Sequence, residues 1–378
     1  MRHLTKISFG VLIACQFLGC SDDDSEIVSP DNPDADTAPN SRTVVNTLSV
    51  PWEILWGPDD FLWVTERSGQ ISRINPESGA QEIIADINSV TQVRESGLLG
   101  MALHPDFEAS PYVYAVYTYS AGQEIVGRLV RYAYADNNLQ DEVILLDNIP
   151  GNSLHNGSRI VITPDQHILM TTGDAGNTSL PQDMNSLAGK VLRINLDGSI
   201  PADNPFPGSP IYSLGHHNPQ GLVLHSNGLL YSAEQDPSSD DEINIIQAGA
   251  NYGWPSVLGP VDNPNEETFA QQNNVIPSIS DWTPTIAPSD LVHYTSDRIP
   301  EWTNKLLMAV LKDQMIVALT LSDDGQQIVD RENYFVREYG RIRDLTIAPD
   351  GRVFIATNGN SYTDTSNTHS IIEINRLD

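Results

Sequence analysis

The chain has 378 residues and carries 20 Lys and Arg against 50 Asp and Glu, a formal net charge of −30. So few cations argue against a nucleic-acid partner, because phosphate backbones are held by clustered Lys and Arg; a hydrophobic content of 39% with 13 Tyr and 6 Trp excludes wholesale disorder. The two cysteines, Cys15 and Cys20, both lie near the N-terminus, so the rest of the chain offers no disulfide, Cys nucleophile, Cys-ligated zinc or iron–sulfur cluster, or covalently attached haem.

Arg2 and Lys6 precede an apolar run from Ile7 to Leu18, which is short for a membrane span and flanked as in a signal peptide. It ends in Phe17-Leu18-Gly19-Cys20, which resembles the lipobox of bacterial lipoproteins, where the cysteine becomes the lipidated N-terminus. Residues 1–19 are therefore expected to be a signal peptide and Cys20 a lipidation site; an ordinary signal cleaved nearby is the alternative. Ser21 resembles the outer-membrane default, which implies an exported lipoprotein held to the outer membrane by its lipid and facing the periplasm or cell surface. Residues 20–41 contain seven acids, three prolines and no Lys or Arg. They cannot build a core and read as a solvated tether.

Residues 42–378 read as one all-β domain. Short runs rich in Val, Ile, Leu and Tyr alternate with Gly, Pro, Asn and Asp, and long stretches of 3.6-residue period are missing. A unit recurs: a Pro-Asp or Asn-Gly turn, a strand, a second turn, and a strand ending in an Arg-Ile-Asn-like run. Gly57-Pro58-Asp59-Asp60 leads through Phe61–Glu66 to Ser72-Arg73-Ile74-Asn75, and Thr163-Pro164-Asp165 leads through Ile168–Thr172 to Leu192-Arg193-Ile194-Asn195. Further copies start at His104-Pro105-Asp106, Ser226-Asn227-Gly228 and Ala348-Pro349-Asp350-Gly351, with a degenerate one at Glu301-Trp302. Six such units predict a six-bladed β-propeller with four-stranded antiparallel blades. A pair of β-sandwiches is the alternative, and it leaves the recurring unit unexplained.

Four loop segments carry chemistry. In Leu154-His155-Asn156-Gly157-Ser158 a histidine in a Gly/Ser turn can act as a base near neutral pH, and Asp174 in Gly173-Asp174-Ala175-Gly176 can orient it; both also read as plain turn residues. Gly215-His216-His217-Asn218-Pro219-Gln220 pairs two histidines that point to opposite faces of an extended chain, which speaks against a shared ligand role. The acids from Glu234 to Glu242, with Asp236-Pro237, Tyr252 and Asp262 beyond, form a hard oxygen environment suited to calcium, or simply an acidic solvated turn. Lys312 and the pair Arg341 and Arg343, two apart on a strand and so facing the same way, form an anion clamp in a chain poor in cations. A salt bridge to a nearby Asp is the bland reading.

In this order the segments resemble one family, the soluble glucose/sorbosone (aldose sugar) dehydrogenases that use pyrroloquinoline quinone (PQQ). The likeness runs from Leu55-Trp56-Gly57-Pro58-Asp59 and Thr65-Glu66-Arg67 to Gly340–Asp344, and is densest at Gly189-Lys190-Val191-Leu192-Arg193-Ile194-Asn195-Leu196-Asp197-Gly198. Gly97-Leu98-Leu99-Gly100 and Gly253-Trp254-Pro255 also match. The resemblance implies that His155 takes the proton of the sugar C1 hydroxyl, oriented by Asp174, while hydride passes to PQQ and an external acceptor later takes the electrons. It further implies that Lys312, Arg341, Arg343, Asn218 and Thr285 hold PQQ. The backbone carbonyls of Asp236 and Pro237 fall at the calcium that polarises the quinone, Glu242, Asp262 and the Tyr252 carbonyl at a second calcium, and Trp282 near a sugar-stacking aromatic.

Several positions depart from the family pattern. His217 replaces an arginine that helps polarise the quinone, Asp236 replaces a glycine, Glu95 replaces a glutamine or glycine near the pocket, and Leu154 replaces an aspartate. These changes keep the base and alter the charge around the cofactor. The expected activity is PQQ- and calcium-dependent oxidation of an aldose at C1 to the lactone. The alternatives are a lipid-anchored propeller that binds carbohydrate or protein without redox turnover, and a calcium-dependent lactonase-type hydrolase. The sugar is not specified by any motif, and a homodimer is left open.

Overall fold

The computed structural model describes residues 40–359 and 369–377; the expected signal, Cys20 and nearly all of the tether lie outside them. The described residues belong to one compact unit, Pro39–Asp378. They begin with strand β1 (Ser41–Leu48), followed by a first blade of β2 (Pro51–Trp56), β3 (Leu62–Glu66), β4 (Gln70–Ile74) and β5 (Gln81–Asp86). The second blade is β6 (Leu98–Leu103), β7 (Tyr112–Ala121), β8 (Glu124–Ala135) and β9 (Asn138–Pro150); the third is β10 (Ile160–Ile162), β11 (His167–Thr172), β12 (Lys190–Asn195) and β13 (Ile211–Leu214). The fourth comprises β14 (Asn218–Leu224), β15 (Leu230–Gln235), β16 (Asp241–Ile246) and β17 (Ser280–Trp282), and the fifth β18 (Pro288–His293), β19 (Leu306–Val310), β20 (Met315–Leu321) and β21 (Ile328–Tyr334). In the sixth, β22 (Ile342–Ile347), β23 (Val353–Thr357) and β24 (His369–Ile374) take β1 as their outermost strand. The molecule is a six-bladed β-propeller, closed by pairing the two ends of the domain, from Ser41 opposite Ile374 to Leu48 opposite His369. Closure of this kind leaves few free strand edges.

Burial explains why the strands do not all alternate. Each blade packs on two neighbours, so middle strands such as β19 and β23 are buried along their whole length and read as continuous apolar runs. Outer strands see solvent on one side, and β5 and β21 are correspondingly polar and largely exposed. The recurring Pro-Asp or Asn-Gly turn joins the first and second strands of its blade. In the first blade it is clasped shut: Gly57 N–H donates to Phe61 O (2.8 Å) and the Trp63 indole donates to Asp59 Oδ1 (3.0 Å). A Cβ on Gly57 would lie 2.3 Å from that indole nitrogen, so only glycine fits.

The axis is held by one cation. Arg159, just before β10, pairs with Glu53 on β2 (2.6 Å), Asp344 on β22 (2.8 Å) and Asp290 on β18 (3.2 Å). It also donates to Gln220 O on β14 and lies over the Trp52 ring. Met101 N–H donates to the other Glu53 oxygen, which brings in β6. Every innermost strand is thus tied to the same hub. Burial pushes the Glu53 carboxyl up to about 7 despite the arginine, and pushes Asp344 up as well.

Candidate active site

The loops above the innermost strands create a cleft. A cavity of about 460 Å³ is walled by Arg67, Lys312, Arg341 and Arg343, with Thr285, Gln220, Gln235 and Asn358 as neutral polar groups and Val50, Ala287 and Leu311 as apolar ones. Glu95 and Pro237 complete the lining. Lys312 Nζ donates to Thr285 Oγ1 (2.7 Å), and Arg343 donates to Gln220 Oε1 (2.5 Å) and Asn358 Oδ1 (3.2 Å). Burial pushes the Arg343 guanidinium down to about 9, reinforced by Arg341 and Arg67, and pushes Arg67 down to about 10. The cavity is therefore electrostatically short of an anion. Among the described residues, the buried Nε atoms of Arg67 and Arg341 have no hydrogen-bond partner, an arrangement that favours an incoming acceptor.

Next to this cavity His155, Asp174 and His217 meet. His155 sits in the β9–β10 loop with φ of 55°, and a Cβ on Gly173 would lie 2.2 Å from its carbonyl oxygen, so glycine there lets the two loops touch. His155 Nδ1 lies 3.0 Å from Asp174 Oδ1, which also accepts Gly176 N–H (2.7 Å). The other oxygen accepts the Trp254 indole (3.1 Å) and lies 3.9 Å from His217 Nε2. Burial opposes ionisation of Asp174, yet the His155 hydrogen bond, the neighbouring His217 and the Gly176 N–H hold its carboxyl below the usual range. His217 is buried, and burial and the adjacent His155 hold its imidazole below the usual histidine value, so it is neutral at pH 7. Its Nδ1 lies 2.5 Å from Gln235 O and 3.6 Å from Asp236 Oδ1. Two groups join this trio to the cavity: Glu95 accepts His155 N–H (3.3 Å), and Gln235 accepts the Asn218 amide (3.3 Å).

The third cluster is acidic. Glu234 and Glu242 stand opposite each other on β15 and β16, with Asp236 and Asp240 in the connecting turn and Asp241 opening β16. Asp241 is satisfied by the N–H groups of Asp236, Ile286 and Ala287. Asp236 is pushed well above the ordinary carboxyl value by burial and by Glu242, Glu234, Asp241 and Asp240; burial and Glu234 push Glu242 up to about 8. Buried oxygens that repel one another fit a hard cation.

Not every expected residue joins these groups. Trp282, on β17, packs against the apolar core between blades four and five with the Arg331 guanidinium 4.1 Å over its ring, outside the cavity lining. Asp262 is exposed beside helix α1 (Pro264–Asn273) and donates its N–H to Glu266. The Tyr252 side chain is buried, its hydroxyl donating to Ile245 O (2.5 Å), so the residue offers the acidic cluster its backbone carbonyl rather than its ring. Conversely, nothing in the sequence marks Arg67, Gln235, Asn358 or Trp254 as a site residue on its own, whereas Gln220, an amide donor of the Gly215–Gln220 loop, does line the cavity. Arg67 and Trp254 lie inside the quoted Thr65-Glu66-Arg67 and Gly253-Trp254-Pro255 runs; Asn358 carries no local signal.

The residues present fit a planar polyanion such as PQQ: four cations line one cavity, two of them with a buried Nε that has no partner, beside a histidine held by a carboxylate. Comparisons with known proteins agree. Quinoprotein glucose dehydrogenase B of Acinetobacter calcoaceticus is 34% identical over 424 aligned residues, covering 88% of this chain and 89% of that protein. An aldose sugar dehydrogenase of Escherichia coli is 27% identical, covering 85% of this chain and 91% of its own. The PQQ-bound aldose sugar dehydrogenase of Streptomyces coelicolor superposes with a TM-score of 0.77 at 30% identity, over 88% of this chain and 96% of that one. The glucose/sorbosone dehydrogenase family model matches residues 48–363, and the chain belongs to that family.

Proposed function

We propose that the chain is a PQQ- and calcium-dependent aldose sugar dehydrogenase that oxidises C1 to the lactone and passes the electrons to an external acceptor. The observation that carries this reading is that the His155–Asp174 pair is joined, through the His155 N–H to Glu95, to a cavity lined by Arg67, Lys312, Arg341 and Arg343. Bound PQQ would supply the two-electron acceptor for the C1 hydride. Arg341, Arg343, Lys312 and Arg67 would hold its carboxylates, and the Thr285 hydroxyl would set its register, while Asn358 holds Arg343 in place. His155 donates Nδ1–H to ionised Asp174, which leaves Nε2 bare to take the C1 hydroxyl proton; the carboxylate then stabilises the imidazolium. Trp254 and Gly176 fix the carboxylate so that this orientation costs little at the moment of reaction. Calcium would sit at Asp236 and the Pro237 carbonyl and act as a Lewis acid, with Glu242 serving a second ion.

The direct test is reconstitution. Apoprotein given PQQ and calcium, then desalted, should retain quinone absorbance and reduce a dye with at least one member of an aldose panel. Loss of the absorbance on desalting with no turnover would reject the reading in favour of a non-redox binding propeller. A membrane anchor through Cys20 is part of the proposal: Cys20→Ala should move the protein from the membrane pellet to the soluble fraction.

A further inference from the structure

His217 makes a contact that the dehydrogenase chemistry does not explain. Its Nδ1 lies 2.5 Å from the carbonyl oxygen of Gln235, so that nitrogen carries the proton and donates it. In the neutral ring Nε2 is then a bare lone pair, and it faces Asp174 Oδ2 at 3.9 Å. Two electron-rich atoms turned toward each other in a buried space call for a cation between them. The second oxygen of the same carboxylate is 3.0 Å from His155 Nδ1, and the His155 and His217 rings stand edge to face with centroids 4.3 Å apart. One ligand atom from each of His155, Asp174 and His217 lies within 4.8 Å of the others.

We propose that His155, Asp174 and His217 form a binding site for a borderline divalent transition ion of the Zn2+ class, separate from the calcium-type acidic cluster. Two imidazoles and one carboxylate on one side of an ion, with the remaining positions open, is a recurrent donor set for such metals. Donors bound at about 2.0–2.1 Å around a tetrahedral ion stand roughly 3.4 Å apart, so three ligand atoms that lie within 4.8 Å of one another must draw together to close on an ion. The Gln235 carbonyl already supplies the outer-shell partner that fixes a ligating imidazole. Nitrogen donors disfavour calcium, whereas Glu234, Asp236 and Glu242 offer only oxygen, so the two sites sort ions by hardness. Occupation displaces the proton between His155 and Asp174 and leaves His155 protonated on Nε2, so a metal here would disarm the proposed base. The site itself does not depend on that reading, and its test is made without quinone.

Apoprotein in excess calcium, which fills the oxygen sites, is titrated with Zn2+ by calorimetry. One site per chain is expected. His155→Gln and His217→Gln should each weaken it beyond the roughly 100-fold typical of outer-shell changes. His155 lies in a partly exposed loop, so its variant keeps the test valid even if His217→Gln fails to fold. The Cu2+ adduct should show coupling to two imidazole nitrogens by electron paramagnetic resonance in the parent and to one in His155→Gln. Absence of Zn2+ binding, binding unchanged in His155→Gln, or a Cu2+ spectrum with oxygen ligands only would overturn the proposal.

Discussion

The carboxylate of Asp174 is shared between two histidines, with Oδ1 3.0 Å from His155 Nδ1 and Oδ2 3.9 Å from His217 Nε2. One buried acid thus orients the proposed base and faces the residue that stands in a position the family fills with arginine.

His155→Ala removes the base and leaves the cationic cavity untouched. Turnover should fall roughly 10²–10⁴-fold, with PQQ retained after desalting. Asp174→Asn should act similarly, because an amide cannot accept all three donors of His155, Gly176 and Trp254 in the present geometry. A variant that loses quinone along with turnover would show that the loop, rather than the proton transfer, had been damaged.

His217→Arg places a permanent cation where a neutral imidazole now lies, and should raise turnover by roughly 10-fold at pH 7–8. His217 is held below its ordinary value of 6.5, so the native ring gains charge only in acid. The ratio of variant to parent turnover should therefore shrink as pH falls below 6. A ratio that is flat with pH, or less than one throughout, would mean that the imidazole contributes something other than charge.

The acidic cluster makes the calcium-free protein sensitive to alkali. Glu242 rises from 4.5 to about 8 in the folded state, and Asp236 rises too. Between those values the folded protein holds a proton that the unfolded chain has lost, so stability falls as pH rises from 4.5 through 8. Calcium supplies the missing positive charge and should remove most of that fall. Melting curves at pH 5, 7 and 8, with calcium or with a chelator, should show the largest calcium effect at pH 8; an equal effect at all three would contradict the assignment.

Arg159→Met leaves Glu53, Asp290 and Asp344 together at the axis without their cation. The cost should be roughly 3–5 kcal/mol in urea unfolding. Glu53→Gln should cost much less, since burial already pushes that carboxyl up to about 7.

Arg67→Met deletes an orphaned donor at the cavity wall. Loss of one charge-assisted hydrogen bond, about 1.5–3 kcal/mol, should weaken PQQ binding roughly 10- to 150-fold, measured by fluorescence titration of the apoprotein. Unchanged affinity would place Arg67 outside the cofactor contacts.

The blade count was readable along the chain because its signal is local. A Pro-Asp or Asn-Gly turn between two short apolar runs specifies a hairpin wherever it occurs, and six copies specify six blades. The loops holding His155, Asp174 and Asp236 were readable for a similar reason: their Gly, Pro and Asp runs break strands. Arg341 and Arg343 both line the cavity, although Arg341 lies just before β22 and only Arg343 is on the strand, so their convergence comes from the loop and not from a strand repeat alone.

Convergence was not readable in this way. Arg67, Gln220 and Asn358 belong to three different blades and Thr285 to the connection between blades four and five, and they reach one cavity only after β1 pairs with β24 and closes the ring. Trp282 shows the converse, since an aromatic near the expected place in sequence is turned into the core beneath Arg331. The net charge of −30 reads differently at the two levels. Summed over the chain, it argued against a polyanion such as nucleic acid. Only the tertiary structure gathered four of the few cations around one cavity and pressed the acids together beside it, because local potential depends on distance and burial rather than on totals.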